Sequence, residues 1–304
     1  MLKAATEHAT WLVQQHHHAQ VSGFLAAHWG GSDGFAPPGH YPGAANPARW
    51  RDEVVLAIAE HDNGWWETEA MPRISARDGL PVGVGEAAPP TDENEFTPWI
   101  TGGFDRWRLG VDRIARAHPY AALLISMHAY WLYAVAFDDL LDDAPRRHFV
   151  FGPPDVAPGL IGDPDATRAF LADMRASQAL LRSRIRADDA LAGALEPDHL
   201  DAHFRLLQLL DSMSLYLALN DAEEHELPDV PRAGWRDRVA ITWRRLDERT
   251  IELDPYPFGA DALRVPMLAR VIDRDDETDE ASPLARLHGA PLQTIEFTFV
   301  RRST

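Results

Sequence analysis

The stretch Glu60-His61-Asp62-Asn63-Gly64-Trp65-Trp66 constrains the fold more than any other part of the chain. It follows an apolar stripe of Val54, Val55, Ile58 and Ala59, spaced as one face of a helix. A stripe of that kind turns toward a core and carries His61 and Asp62 inward with it. An imidazole and a carboxylate are costly to bury without partners. The fold must therefore bring polar or cationic groups from other elements to this helix end. A divalent cation would satisfy both residues, since imidazole and carboxylate together suit Mn, Fe, Co, Ni or Zn, as one ion or two.

Three further polar residues stand on predicted apolar helix faces. The pattern from Trp11 to Trp29 suits a helix, with Val21, Leu25 and Trp29 at spacing four and Gly30-Gly31 as a stop. Inside it lie His16, His17 and His18. Successive helical residues are about 100° apart, so one or two of the three can face a single interior point. His18 is the choice, because Ser22 and Leu25 share its face. His128 lies inside the apolar run from Ala121 to Phe137, which His118-Pro119 opens. Alone, it reads equally as a satisfied core histidine or as a ligand. Asp211 sits amid Leu206, Leu207, Leu210, Met213 and Leu217 on a helix opened by Pro197-Asp198. A carboxylate among leucines needs a cation or several hydrogen-bond donors.

The remaining punctuation fills in the architecture. Asn46-Pro47 gives an N-cap followed by proline in the first turn, and helices are expected over 104–117 and 165–186. Residues 30–46 read as a loop. Residues 67–103, rich in Gly and Pro, read as a mobile covering over the pocket. After Asn220 come short β-branched and aromatic runs at 239–243, 250–253, 263–272 and 293–300, the last alternating with period two. The expected fold is mainly α, a helical core over 10–220 with a small antiparallel sheet in 221–304 packed on it, all one domain. Asp273 to Glu280 is an acidic run, read as a solvated loop.

Charge and composition exclude several classes. The net charge is −18, from 29 basic and 47 acidic residues, which opposes a nucleic-acid backbone or an anionic membrane as the main partner. A small phosphorylated substrate held by a metal stays open. With no cysteines, disulfides, thiolate metal sites and a cysteine nucleophile are excluded. The N-terminus lacks a signal-peptide pattern, and the 121–137 run contains a histidine and stops at Asp138-Asp139. A cytoplasmic protein with a buried core helix is expected.

The order His18…His61-Asp62…His128…Asp211, spread over helices, resembles the HD-domain superfamily of metal-dependent phosphohydrolases. More closely, the chain resembles an uncharacterised bacterial family with an HD-type motif. The segments that carry this likeness are 18–30, His61-Asp62-Asn63-Gly64-Trp65, 120–128 and Asp211-Ser212-Met213-Ser214-Leu215. The resemblance implies an HD-like helical bundle in which His18, His61, Asp62 and Asp211 bind a first metal. It implies His128 as a second-metal ligand or an acid/base group, with Glu67 as another acid/base candidate. Two-metal HD enzymes usually carry two extra histidines between the His-Asp pair and the last Asp, and here His128 alone has a helical apolar setting.

Three functions follow as expectations. The first is a metal-dependent hydrolase of a small phosphorylated or nucleotide-like substrate. The second is an HD-type dinuclear iron oxygenase, and the third is a non-catalytic metal- or ligand-binding protein. Trp65, Trp66, Trp99 and Trp107 are candidates for an aromatic wall. Arg51, Arg73 and Arg77 are candidates to receive a phosphate.

Overall fold

Strong local signals set most helix starts. In the computed structural model, which describes residues 1–75, 77–83, 103–135, 137, 140, 163–273 and 282–302, α1 spans Gln15–His28 and α2 spans Pro47–Ala59. The Asn46 side chain caps α2 by accepting from Arg49 N, and Pro47 fills the first turn. After a short 3-10 turn at Asn63–Trp65 comes α3, Trp66–Ala70, and later α4, Phe104–Ala115. Pro119 opens α5 (Pro119–Ala134), Pro164 opens α6 (Pro164–Arg186) and Pro197 opens α7 (Pro197–Ala218). A last short helix, α8, spans Pro283–Gly289. Of the expected covering segment, residues 84–102 lie outside the described residues, as do 274–280 of the acidic run.

The expectation of a mainly α, all-helical bundle carrying a small C-terminal antiparallel sheet is overturned. Helix accounts for 49% of the described residues, and it packs on a large, curled, mixed sheet. The strands are β1 (Leu2–Ala5), β2 (Ala9–Val13), β4 (His225–Pro231), β5 (Arg238–Arg245), β6 (Thr250–Asp254), β7 (Ala262–Asp273) and β8 (Leu292–Arg301). They form one seven-stranded sheet in the order β1-β2-β7-β8-β6-β5-β4. A short β3, Trp29–Gly31, bridges to Phe258 outside it. The helix expected from Trp11 starts only at Gln15; residues 11–13 belong instead to β2, which pairs antiparallel with β7, Trp11 opposite Val271. Nor is the C-terminal part purely antiparallel, because β6 and β8 run parallel, Ile251 beside Phe299.

The physical reason is range. A five-residue strand has too few residues to show a period; β2 forms a short hairpin with β1, and the partner that ties both into the sheet, β7, lies some 260 positions away. The long β7–β8 ladder is different: Ile295, Phe297 and Phe299 of β8 are buried in the period-two pattern the sequence displays, opposite Met267, Val265 and Leu263 of β7. Sheet residues such as Trp11, Phe297 and Trp243 share one continuous core with Leu25 of α1, Leu124 of α5 and Leu210 of α7.

Candidate metal centre

Close packing brings the polar residues together. At Gly23 on α1 an added Cβ would stand 2.3 Å from the Ala59 Cβ, so the glycine lets α1 lie directly against the end of α2. Glu53, fully buried on α2, accepts from Ala121 N (3.0 Å) at the start of α5 and pairs with Arg49 Nη2 (2.7 Å). A carboxylate at that helix N-terminus satisfies an orphan donor and the helix dipole, fixing α5 and its His128. Beyond α2, Gly64 presses on α4: an added Cβ would meet the Arg106 carbonyl oxygen at 1.9 Å. Asn63 donates to Gly110 O (3.3 Å), and Arg113 donates to Asn63 O (2.6 Å).

His18, His61, Asp62, His128 and Asp211 are all buried, with 1–4% exposure, and their side chains converge. His18 Nε2 lies 2.8 Å from Asp62 Oδ2. His61 Nε2 lies 3.2 Å from Asp211 Oδ1 and 3.8 Å from Asp62 Oδ2. His128 Nε2 lies 3.4 Å from Asp211 Oδ2. Two triads, His18–His61–Asp62 and His61–His128–Asp211, each have ligand-capable atoms within 4.8 Å of one another. Two ligands about 2.0–2.2 Å from a common ion and 90–110° apart stand roughly 2.8–3.6 Å from each other. The shortest of these separations are thus those of neighbouring ligands on one ion.

Hydrogen bonds orient the rings for that task. His61 Nδ1 lies 2.8 Å from Ile58 O, one of the carbonyls left open at the end of α2. A carbonyl only accepts, so Nδ1 carries a proton and Nε2 points at the carboxylates, where it can ligate an ion that displaces its own proton. That Nε2 is buried and makes no well-aligned hydrogen bond among the described residues. On the other side, Ser214 Oγ donates to Asp211 O (2.8 Å), so it accepts from His18 Nδ1 (2.9 Å). Ser22 Oγ stands 2.8 Å from Ser214 Oγ. His18 therefore also turns Nε2 toward Asp62. A ring nitrogen held by a backbone or hydroxyl acceptor while its partner nitrogen faces carboxylates is the usual second layer of a metal site.

Electrostatics agree. Burial alone would push the His61 imidazolium to lower pKa, but the Asp211 and Asp62 carboxylates outweigh it and raise His61 to about 9. Two buried carboxylates here demand a positive charge, whether a proton on His61 or a bound cation. The residues fit a divalent transition metal by donor type, spacing and tautomer. His61 offers one lone pair, at Nε2, so it can ligate one ion at a time. The two triads are thus alternative corners of one pocket, with any second ion left to His128, Asp211 and shared carboxylates among the described residues.

Not every expected residue comes to this point. Glu67, on α3, is exposed and pairs with Arg113 Nη2 (2.6 Å), outside both triads. Trp65 and Trp107 are buried beside the centre, Trp107 with its ring 5.7 Å from His128, whereas Trp66 is 47% exposed. Trp99 lies outside the described residues. Arg51 donates to Ala27 O (2.7 Å), and Arg73 and Arg77 are exposed. Sequence reasoning missed Ser214, Tyr133 and Arg106. Ser214 follows Asp211 by three residues on the same helix and was legible in the spacing; the other two were not.

The fold and site together define an α/β protein with a buried His/Asp cluster able to hold a metal ion. The chain belongs to the family DUF3891, proteins of unknown function, whose family model matches residues 1–274. Nothing shows a relationship to the HD-domain superfamily, and the HD-like bundle expected from that resemblance is absent, since the sheet is integral to the core. No curated protein and no solved structure matches the chain. No helix among the described residues is long and apolar enough to cross a membrane.

Proposed function

We propose that this protein is a metal-dependent hydrolase acting on a small phosphorylated or nucleotide-like substrate, with one ion held by His18, His61, Asp62 and Asp211. The reading rests on the donor set rather than on kinship of fold. The observation that carries it is the buried His61 Nε2, which faces two carboxylates at once, Asp211 Oδ1 at 3.2 Å and Asp62 Oδ2 at 3.8 Å. Such an arrangement is costly for a purely structural core. Bound there, a divalent ion supplies Lewis acidity: it acidifies a water and polarises the electrophilic centre. Asp211 and Asp62 offset the ion's charge, while Ile58 O and Ser214 keep both imidazoles aimed. His128, with Nε2 3.4 Å from Asp211 Oδ2, holds or moves a proton at the edge of the cluster. The Trp65–Trp107 pair, edge to face at 6.3 Å, closes one side and limits water.

The test is elemental analysis of protein purified without chelator, followed by a screen of phosphomonoesters and nucleotides. One equivalent of Mn, Fe, Co, Ni or Zn per chain with metal-dependent hydrolysis is the expected result. A metal-free protein whose thermal stability ignores all of these ions would sink the reading and leave a non-catalytic protein. Two irons per chain with oxygen consumption would replace it with an oxygenase.

A further inference from the structure

Helix α4 carries three arginines beside the centre, and two of them are paired. Arg108 bonds Asp105 (2.9 Å) and Asp173 (2.7 Å), and Arg113 bonds Glu67 and Asn63 O. Arg106 is different. It is half-buried, its Nε is buried without a hydrogen bond, and no carboxylate among the described residues forms an ion pair with it. Glu69 and Asp105 act on it only through space, so among the described residues this partly desolvated guanidinium keeps N–H donors free for an anionic ligand.

Its position says which ligand. The Arg106 guanidinium carbon lies 4.0 Å from the centroid of the Trp65 ring, a cation–π contact that anchors the group against the aromatic wall. Trp65 meets Trp107 edge to face, and Trp107 meets His128 at 5.7 Å. The Tyr133 hydroxyl, which accepts from the Trp107 indole, senses both the Arg106 cation and the Asp62 carboxylate. Arg106 is thus linked to the metal centre through two aromatic rings, Trp65 and Trp107, the second of which meets His128. A guanidinium presents paired N–H donors that match a phosphoryl group, which a lysine ammonium cannot reproduce.

We infer that Arg106, seated on Trp65, is the anion-receiving subsite for the phosphoryl group of the substrate. This rests on the hydrolase reading above and assigns it a substrate-binding residue. Arg106 has no place among the ligands, so its effect can be separated from metal retention.

The experiment titrates inorganic phosphate, with acetate as a second arm, into metal-loaded and chelator-treated protein. Tryptophan fluorescence and calorimetry report binding for wild type, Arg106→Lys and Arg106→Met, and metal content is measured for each. Expected is phosphate binding that weakens at least tenfold in Arg106→Met and to an intermediate degree in Arg106→Lys, with metal stoichiometry unchanged and acetate bound more weakly. Phosphate affinity in Arg106→Met within twofold of wild type overturns the inference. So does absence of phosphate binding by wild type, equal or tighter acetate binding, or loss of metal from Arg106→Met. Should wild type hold no metal, the hydrolase reading fails by itself. The chelator-treated titration then still decides the subsite: dependence on Arg106 supports it and independence overturns it.

Discussion

Replacing Asp211 by Asn keeps the shape of the side chain and removes the charge nearest His61 Nε2, 3.2 Å away. In metal-free protein His61 has its pKa raised from 6.5 to about 9, against the opposing effect of burial, with the Asp211 carboxylate the foremost upward cause. A folded pKa above the unfolded one means that the native state holds the proton more tightly. The resulting stability is fully present below about pH 6.5 and is lost as pH rises through about 9. At 1.36 kcal/mol per unit, the shift is worth about 3 kcal/mol at low pH, of which roughly 2–3 kcal/mol disappears between pH 6.5 and 9. Asp211→Asn removes much of this, with Asp62 left to sustain a smaller shift. The assay is urea unfolding of chelator-treated wild type and variant at pH 6.5, 7.5 and 9. The wild type should lose stability relative to Asp211→Asn as pH rises, and the difference cancels contributions from other titrating groups. Added metal should reverse the trend for wild type alone, because binding displaces the His61 proton and strengthens with pH. A stability difference that stays flat from pH 6.5 to 9, with equal metal retention by both proteins, would refute the electrostatic account of the site.

Ser214→Ala removes the acceptor for His18 Nδ1, 2.9 Å away, and should weaken metal affinity about 10–100-fold with the circular dichroism spectrum unchanged, as competition with a fluorescent chelator would show. Gly64→Ala places a methyl 1.9 Å from the Arg106 carbonyl oxygen, backbone that cannot step aside freely; a loss of roughly 2–4 kcal/mol is expected in urea unfolding. His203 is fully buried, held to the Tyr120 hydroxyl at 2.7 Å, and burial lowers its pKa to about 3. Its sign is opposite to that of His61: the unfolded chain takes up a proton below pH 6.5 that the native state refuses, so stability falls by about 1.4 kcal/mol per pH unit from there toward 3. His203→Phe should make acid unfolding shallower by about one proton over that range.

The starts of α2, α5, α6 and α7 were written locally, in Asn46-Pro47, Pro119, Pro164 and Pro197, because capping and proline chemistry act within a turn. The candidate donors were legible too: His18, His61, Asp62, His128 and Asp211 stand out as polar residues on apolar faces, where burial without a partner is too costly to be idle. The sequence by itself thus determined that such groups would be buried, on α1, α5 and α7 and just past the end of α2. Only the tertiary structure decided that their side chains meet, that Ile58 O and Ser214 set the tautomers of His61 and His18, and that Glu67 turns outward to Arg113. It also decided that β1 and β2 close one edge of a sheet begun 250 residues later, and that Arg106 lies over Trp65 without an ion pair among the described residues. Hydrogen bonds between distant strands and contacts between side chains on separate elements leave no periodic trace in the chain. They exist only once packing has brought those elements within a few ångströms of each other.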